Sequence, residues 1–237
     1  MGKEGKLKHV PRPYIIGLAA ALIVQIAFWS QAHVIRIPWA GVSIAPSPAI
    51  AAVLGLGDRQ LYYRAATFGL QGMGDWAGEM TPLIQYDYTR LAGWFTLLSK
   101  MDPASHYAPS LAAYYFGASR DPGQVRQIIP YLRQLAGSNP EKHWRWMAYS
   151  VYLARYRVKD PILALEIAQQ LAVLPVADMP IWTRQLPAFV LADAGEREAA
   201  RDILEAILAT TPDLHPSERY FMRDYIDSRL GFSPEIP

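Results

Sequence analysis

The chain of 237 residues contains no cysteine. That excludes disulfides, thiolate metal sites and a cysteine nucleophile, and it suits either side of a membrane. Strand signals are missing too. From Asp58 onward no apolar–polar alternation is bounded by turn residues. Nucleotide and hydrolase signatures are also absent. Gly72, Gly74 and Gly78 have the wrong spacing for a dinucleotide turn and follow a helical pattern. No Walker lysine loop, His-Glu-x-x-His or Gly-x-Ser-x-Gly occurs. The five histidines, at 9, 33, 106, 143 and 215, are scattered one to a segment. Carboxylates such as Asp87, Asp160, Glu166 and Glu205 have no spacing that favours an acid–base pair, and Asp160 before Pro161 reads as a helix cap. The expectation is a protein that is not an enzyme, with no catalytic residues, no metal and no cofactor.

Charge is absent from one long stretch. Residues 14–29 hold no charged residue and one polar one, Gln25, behind Lys3, Lys6, Lys8 and Arg12. An apolar run behind a basic amino terminus is an anchoring or export signal. A hydrocarbon core of about 30 Å needs about 20 helical residues. Extension through Val34 meets that length, so residues 14–34 are expected to form a single transmembrane anchor, with Tyr14 and Trp29 at its edges. The basic tail, 1–13, should stay in the cytoplasm, which places the carboxy-terminal domain in the periplasm if the inner membrane is bacterial. A cleaved signal peptide is the second reading, because Ser30-Gln31-Ala32 is a small-x-small triplet. The overall charge of +2 divides unevenly: residues 1–36 carry +4, leaving −2 for the rest. A mildly acidic domain has no nucleic-acid footprint.

Residues 35–57 form an apolar connector with Pro38, Pro46 and Pro48. Proline restricts its predecessor and lacks a donor, so an extended spacer is expected. A short helix capped by Ser47 and begun by Pro48 should close it, either packed on the body that follows or laid against the membrane. Residues 58–230 read as helices throughout, and 231–237 as a tail. Pairs are expected near 58–72 with 86–100, 106–117 with 122–136, 141–158 with 161–173, and 180–193 with 196–210. A closing helix at 216–229 should turn Tyr220, Phe221, Tyr225, Ile226 and Leu230 toward the last pair. The stops Pro103, Pro140, Pro175 and Pro212 are separated by 37, 35 and 37 residues. A recurrent spacing in this range points to stacked helix pairs.

The last pair has Ala188, Leu191, Gly195, Ala200, Leu204, Ile207 and Pro212 at the spacing of a tetratricopeptide repeat. The first keeps Leu91, Phe95, Leu98 and Pro103. The third has Trp144, Ala148 and Val151, then Ala164, Ala168 and Leu171, and its first helix is about a turn longer. The second is out of register by one. The chain thus resembles a tetratricopeptide-repeat-like, membrane-anchored protein. The resemblance implies an all-α α-solenoid of about four helix pairs and a capping helix, whose first helices line a concave groove for a protein partner. On that basis Arg145, Tyr149, Tyr152, Arg184 and Gln185 are the groove candidates. A second candidate is the long connection at 72–84, a binding loop with Asp75, Trp76 and Glu79, or else an Ω-type loop with Trp76 tucked inward. The function expected is a periplasmic scaffold in an envelope complex. One alternative is a structural subunit docking through its transmembrane helix and connector, where Gly17 and Ala21 make a small-x-x-x-small pair. Another is an accessory domain with a small-molecule site at Asp87, Arg90, Trp94 and His106.

Overall fold

The computed structural model describes residues 12–32, 41–76 and 79–232. The basic tail before Arg12, most of the first part of the connector, the side chains of Trp76 and Glu79, and the end of the chain lie outside the described residues. The described chain is all-helical apart from one two-residue ladder, Asp75–Trp76 against Glu79–Met80.

Helix α1 runs from Arg12 to Ala32 over 21 residues, about 30 Å at the α-helical rise. It is apolar on every side, with a mean hydropathy of 1.7 over Arg12–Gln31, and nothing in the described body covers it. It is the one described helix long and apolar enough to cross a membrane, a property that a signal sequence shares.

The body begins with α2, Pro48–Leu54, capped by the Ser47 hydroxyl. Then come α3 (Arg59–Gln71), α4 (Tyr88–Met101) and α5 (Tyr107–Ser110); α5 continues through a π turn at Leu111–Tyr115 and a 3-10 turn to Ala118. α6 spans Pro122–Ser138. α7 spans Pro140–Tyr152 and widens into a π turn to Val158. α8 (Pro161–Ala172), α9 (Trp182–Asp193), α10 (Arg197–Thr210) and α11 (Pro216–Asp224) follow, the last ending in a π turn at Tyr225–Arg229. These limits fall within a few residues of the expected pairs. Aspartate starts four of the helices: Asp58, Asp87, Asp121 and Asp160 each accept backbone N–H bonds from the first turn of α3, α4, α6 and α8. Such caps satisfy orphan donors and each contribute about 1 kcal/mol. Gly195, at φ +89, makes the tight turn between α9 and α10 that only glycine adopts without strain.

Neighbouring helices in the chain pack on each other from α6 to α11, and α4 packs on α3 and α6. Side chains also join alternate helices. Tyr63 on α3 donates to Ser105 and accepts from the N–H of Ala108 on α5. Tyr114 meets Trp146 and Tyr149 of α7. Trp144 of α7 meets Trp182 of α9 at 5.8 Å, and Phe189 of α9 meets Phe221 and Tyr225. On the other side Phe95 of α4 stacks on Tyr131 of α6 at 5.4 Å, and Arg133 of α6 bridges to Glu166 and Gln170 of α8.

The core has two parts. The larger reaches from Val42 to Val190 and centres on Phe116, whose ring meets Tyr86, Tyr88 and Phe95 edge-on. Burial there pushes the Tyr88 phenol up to about 12. The smaller part holds Ala188, Ala200, Leu204, Ile207, Met222, Ile226 and Leu230. The expected face of the closing helix needs correction at its start. Ile226 and Leu230 are buried and Tyr225 is half-buried, as expected, but Met222 is the buried residue of the first turns, whereas Tyr220 is 73% exposed and Phe221 is only partly covered, against Phe189.

Candidate partner-binding face

α7 and its π turn carry a row of three tyrosines. Tyr149, Tyr152 and Tyr156 are spaced i, i+3 and i+7, which puts them on one helical face. Their centroids follow one another at 5.2 and 5.3 Å, and Tyr114 extends the row at 4.7 Å from Tyr149. Tyr114, Tyr152 and Tyr156 are exposed and Tyr149 is half-buried. Burial, then the neighbouring Tyr152 and Tyr114, push the Tyr149 phenol upward, so it stays a neutral donor. The opposite face of α7, with Trp144, Met147 and Val151, is buried. The helix is amphipathic, yet its outer side is aromatic where a solvated face carries charge.

The π turn at the end of α7 continues this surface. Arg155 lies over the Tyr156 ring at 4.8 Å and pairs with Asp193 at the end of α9. Beside Asp193 lies Tyr225, whose phenol is pushed up by burial and then by the Asp193 charge. Tyr225 in turn meets Phe189 at 5.0 Å and Phe221 at 6.0 Å. Arg157 of the same turn donates to the Ala118 and Ser119 carbonyls at 2.7 and 2.8 Å, closing the end of the preceding helical segment. The outcome is an aromatic surface crossing α5, α7, α9 and α11, with Arg155 and Asp193 midway.

Of the expected groove residues, Tyr149 and Tyr152 stand together in this row. Arg145 is exposed one turn before Tyr149, with its guanidinium 4.6 Å over the Trp144 ring. Arg184 is exposed, but it donates to the hydroxyls of Thr211 and Thr210 at the end of α10, so it ties α9 to its own partner helix. Gln185 is a correction: it is 1% exposed and donates to Glu218 at 3.2 Å. α11 covers the side of α9 that was expected to be open. Tyr114, Tyr156, Phe189, Phe221 and Tyr225 are functional candidates that sequence reasoning missed. For Tyr156 the spacing from Tyr149 and Tyr152 is the available signal. For the others the contact partner lies on another helix.

The loop candidate is held at its base. The Tyr86 hydroxyl donates to the Met73 carbonyl, and a Cβ at Gly74 would collide with that hydroxyl oxygen. Asp75 is exposed at the start of the ladder, and the Trp76 and Glu79 side chains lie outside the described residues. The small-molecule set does not converge. Asp87 caps α4 and pairs with Arg90, Arg90 donates to the Val42 carbonyl, and Trp94 donates to the Ser43 carbonyl. These three fasten the connector to α4, while His106 sits apart, accepting from Trp146. Among the described residues, no group of three or more His, Asp or Glu could hold a metal ion. No family model, curated protein or solved structure matches this chain.

Proposed function

We propose that the protein is a membrane-anchored, tetratricopeptide-like scaffold that captures a protein partner on the aromatic face of its first helices, without catalysis. In this reading α1 is a retained anchor in the inner membrane and the helical body is periplasmic. The observation that carries the proposal is the aromatic row through Tyr114, Tyr149, Tyr152 and Tyr156. Tyrosine and arginine are the residues on which binding energy concentrates, and a solvated surface has no use for four consecutive rings. The contacts of α5 with α7, α7 with α9 and α9 with α11, and separately of α4 with α6 and α6 with α8, support a two-layer stack of helix pairs.

A photo-crosslinking residue placed at Tyr152 or Phe221 of the full chain, in native membranes, should yield one discrete adduct. The same residue at Ile162 or Gln169, exposed on α8, should yield none. Tyr152→Ala combined with Tyr156→Ala should abolish the Phe221 adduct and leave helicity unchanged. Adducts that arise only from positions in α1 would replace this reading with a structural subunit held through its membrane helix.

A further inference from the structure

The end of the body nearest α1 in the chain bears an apolar surface of unusual design. α2 turns its stripe outward: Ile50, Val53 and Leu54, at i, i+3 and i+4, are 54, 74 and 63% exposed, and the helix buries Ala51. A helix on a water-soluble body has the reverse arrangement. No charged residue occurs from Ile37 to Gly57. The turn after α2 adds a projecting leucine. Gly55 is required because a Cβ would fall 2.6 Å from the Asp58 carbonyl oxygen and 2.8 Å from the Tyr62 Cβ. Leu56 then takes φ +53, a region that bulky residues avoid, and its side chain is 87% exposed.

The length of the connection says what meets this surface. The span ends at Ala32 and the described body resumes at Gly41, a stretch that reaches about 30 Å at most. Val42 and Ser43 are then fastened to α4 by Arg90 and Trp94, and α2 starts at Pro48. A bilayer that holds α1 therefore lies within reach of α2. The groove beside α2 joins Ile44, Pro46 and Pro48 to Lys100; Arg90, also on its wall, is engaged by Asp87 and the Val42 carbonyl. A lysine head on its apolar stem beside an apolar surface suits the phosphate level of a membrane. We infer that Ile50, Val53, Leu54 and Leu56 bed in the interfacial layer of the bilayer that α1 spans, a second attachment that sets the orientation of the helical body. This rests on α1 being a retained anchor.

The cysteine-free chain permits single thiol labels. Leu22→Cys, Val53→Cys, Leu54→Cys and, on α8, Ile162→Cys at an 81% exposed position are each given one fluorophore in the full chain. Each is reconstituted in phosphatidylcholine–phosphatidylglycerol vesicles carrying doxyl lipids. The expected result is deep quenching at 22, shallow quenching at 53 and 54, and quenching at 162 by aqueous iodide alone. Quenching at 22 without quenching at 53 and 54 overturns the inference and leaves the anchor standing. No quenching at 22 overturns the anchor and the inference together. Labels at 53 and 54 shielded from both lipid and iodide would mean that protein covers the surface, which also overturns it. Lipid quenching at 162 would mean that the body lies on the bilayer without a specific contact, and the inference would fall on that result as well.

Discussion

His106 accepts the indole N–H of Trp146 on Nδ1 at 3.2 Å, a bond that needs an unprotonated nitrogen. Burial first, then the proximity of His143, Arg145 and Lys142, lower its pKa. A histidine with a lowered folded-state pKa takes up protons more readily when unfolded. Its contribution to stability is therefore full above about 6.5 and declines as pH falls toward the folded value. The melting temperature should fall as pH drops from 7 to 5, and His106→Gln should flatten that slope; an unchanged slope in the variant would place the dependence elsewhere. Because His106 is largely exposed, the slope is shallow. Packing supplies a sharper test. Ala200 is fully buried in the smaller core, and Ala200→Leu should cost about 1–3 kcal/mol by overpacking. Ala199→Leu, at an exposed neighbour, should stay within about 0.5 kcal/mol of neutral in the same thermal melt. Ala188 and Ala200 were legible in the sequence because a repeat spacing marks small positions where helices meet. Gln185 was not. A polar residue reads as surface until its partner Glu218, on a helix that follows much later, is known.

Helix starts were legible for the same local reason. Asp160 before Pro161 places a carboxylate where the first N–H groups of α8 point, and the structure has that bond to Leu163 at 2.9 Å. The Leu163 N–H and then Arg126 hold the Asp160 carboxyl below its usual range. Its stabilisation is thus present above about pH 4 and lost as pH falls through the lowered value. Asp160→Ala should cost about 1 kcal/mol, read as a lowered urea midpoint at neutral pH. The π turns were illegible. A π turn adds one residue to a helical turn without changing the pattern of residue types, and it is held by contacts from other elements. At the end of α7 those contacts are Arg155 to Asp193 and Arg157 to the Ala118 and Ser119 carbonyls. Removing the second by Arg157→Ala should cost about 1–2 kcal/mol, as loss of a charge-assisted bond does in a partly exposed site. An unchanged melt would show that the turn persists without that support.

For the whole molecule, α1 and the body are separable in the structure, since none of the span is buried against it. Residues 41–237 should therefore melt as the full chain does in detergent. In the proposed topology the basic residues before Tyr14 stay inside, so a carboxy-terminal alkaline phosphatase fusion should be active. An inactive fusion would invert the placement of the body. The all-helical class and the approximate helix limits could be read from apolar periodicity. The surface that crosses α5, α7, α9 and α11 could not, because it is assembled from one or two rings on each helix.

The division of the core at α9 gives the molecule a seam. Val190 belongs to the larger part and Ala188 to the smaller, so one helix serves both. A segment with its own smaller core can open before the rest, with a free energy below that of global unfolding. Residues 197–230 should then exchange their amide hydrogens as one cooperative block, faster than α4 and α6. Phe221 and Tyr225 would leave the aromatic face with that block, and only the tyrosine row of α7 would remain. The far end of the proposed binding surface would be intermittent, present for the fraction of time that the last helices are closed, and a bound partner that touches it would slow their exchange.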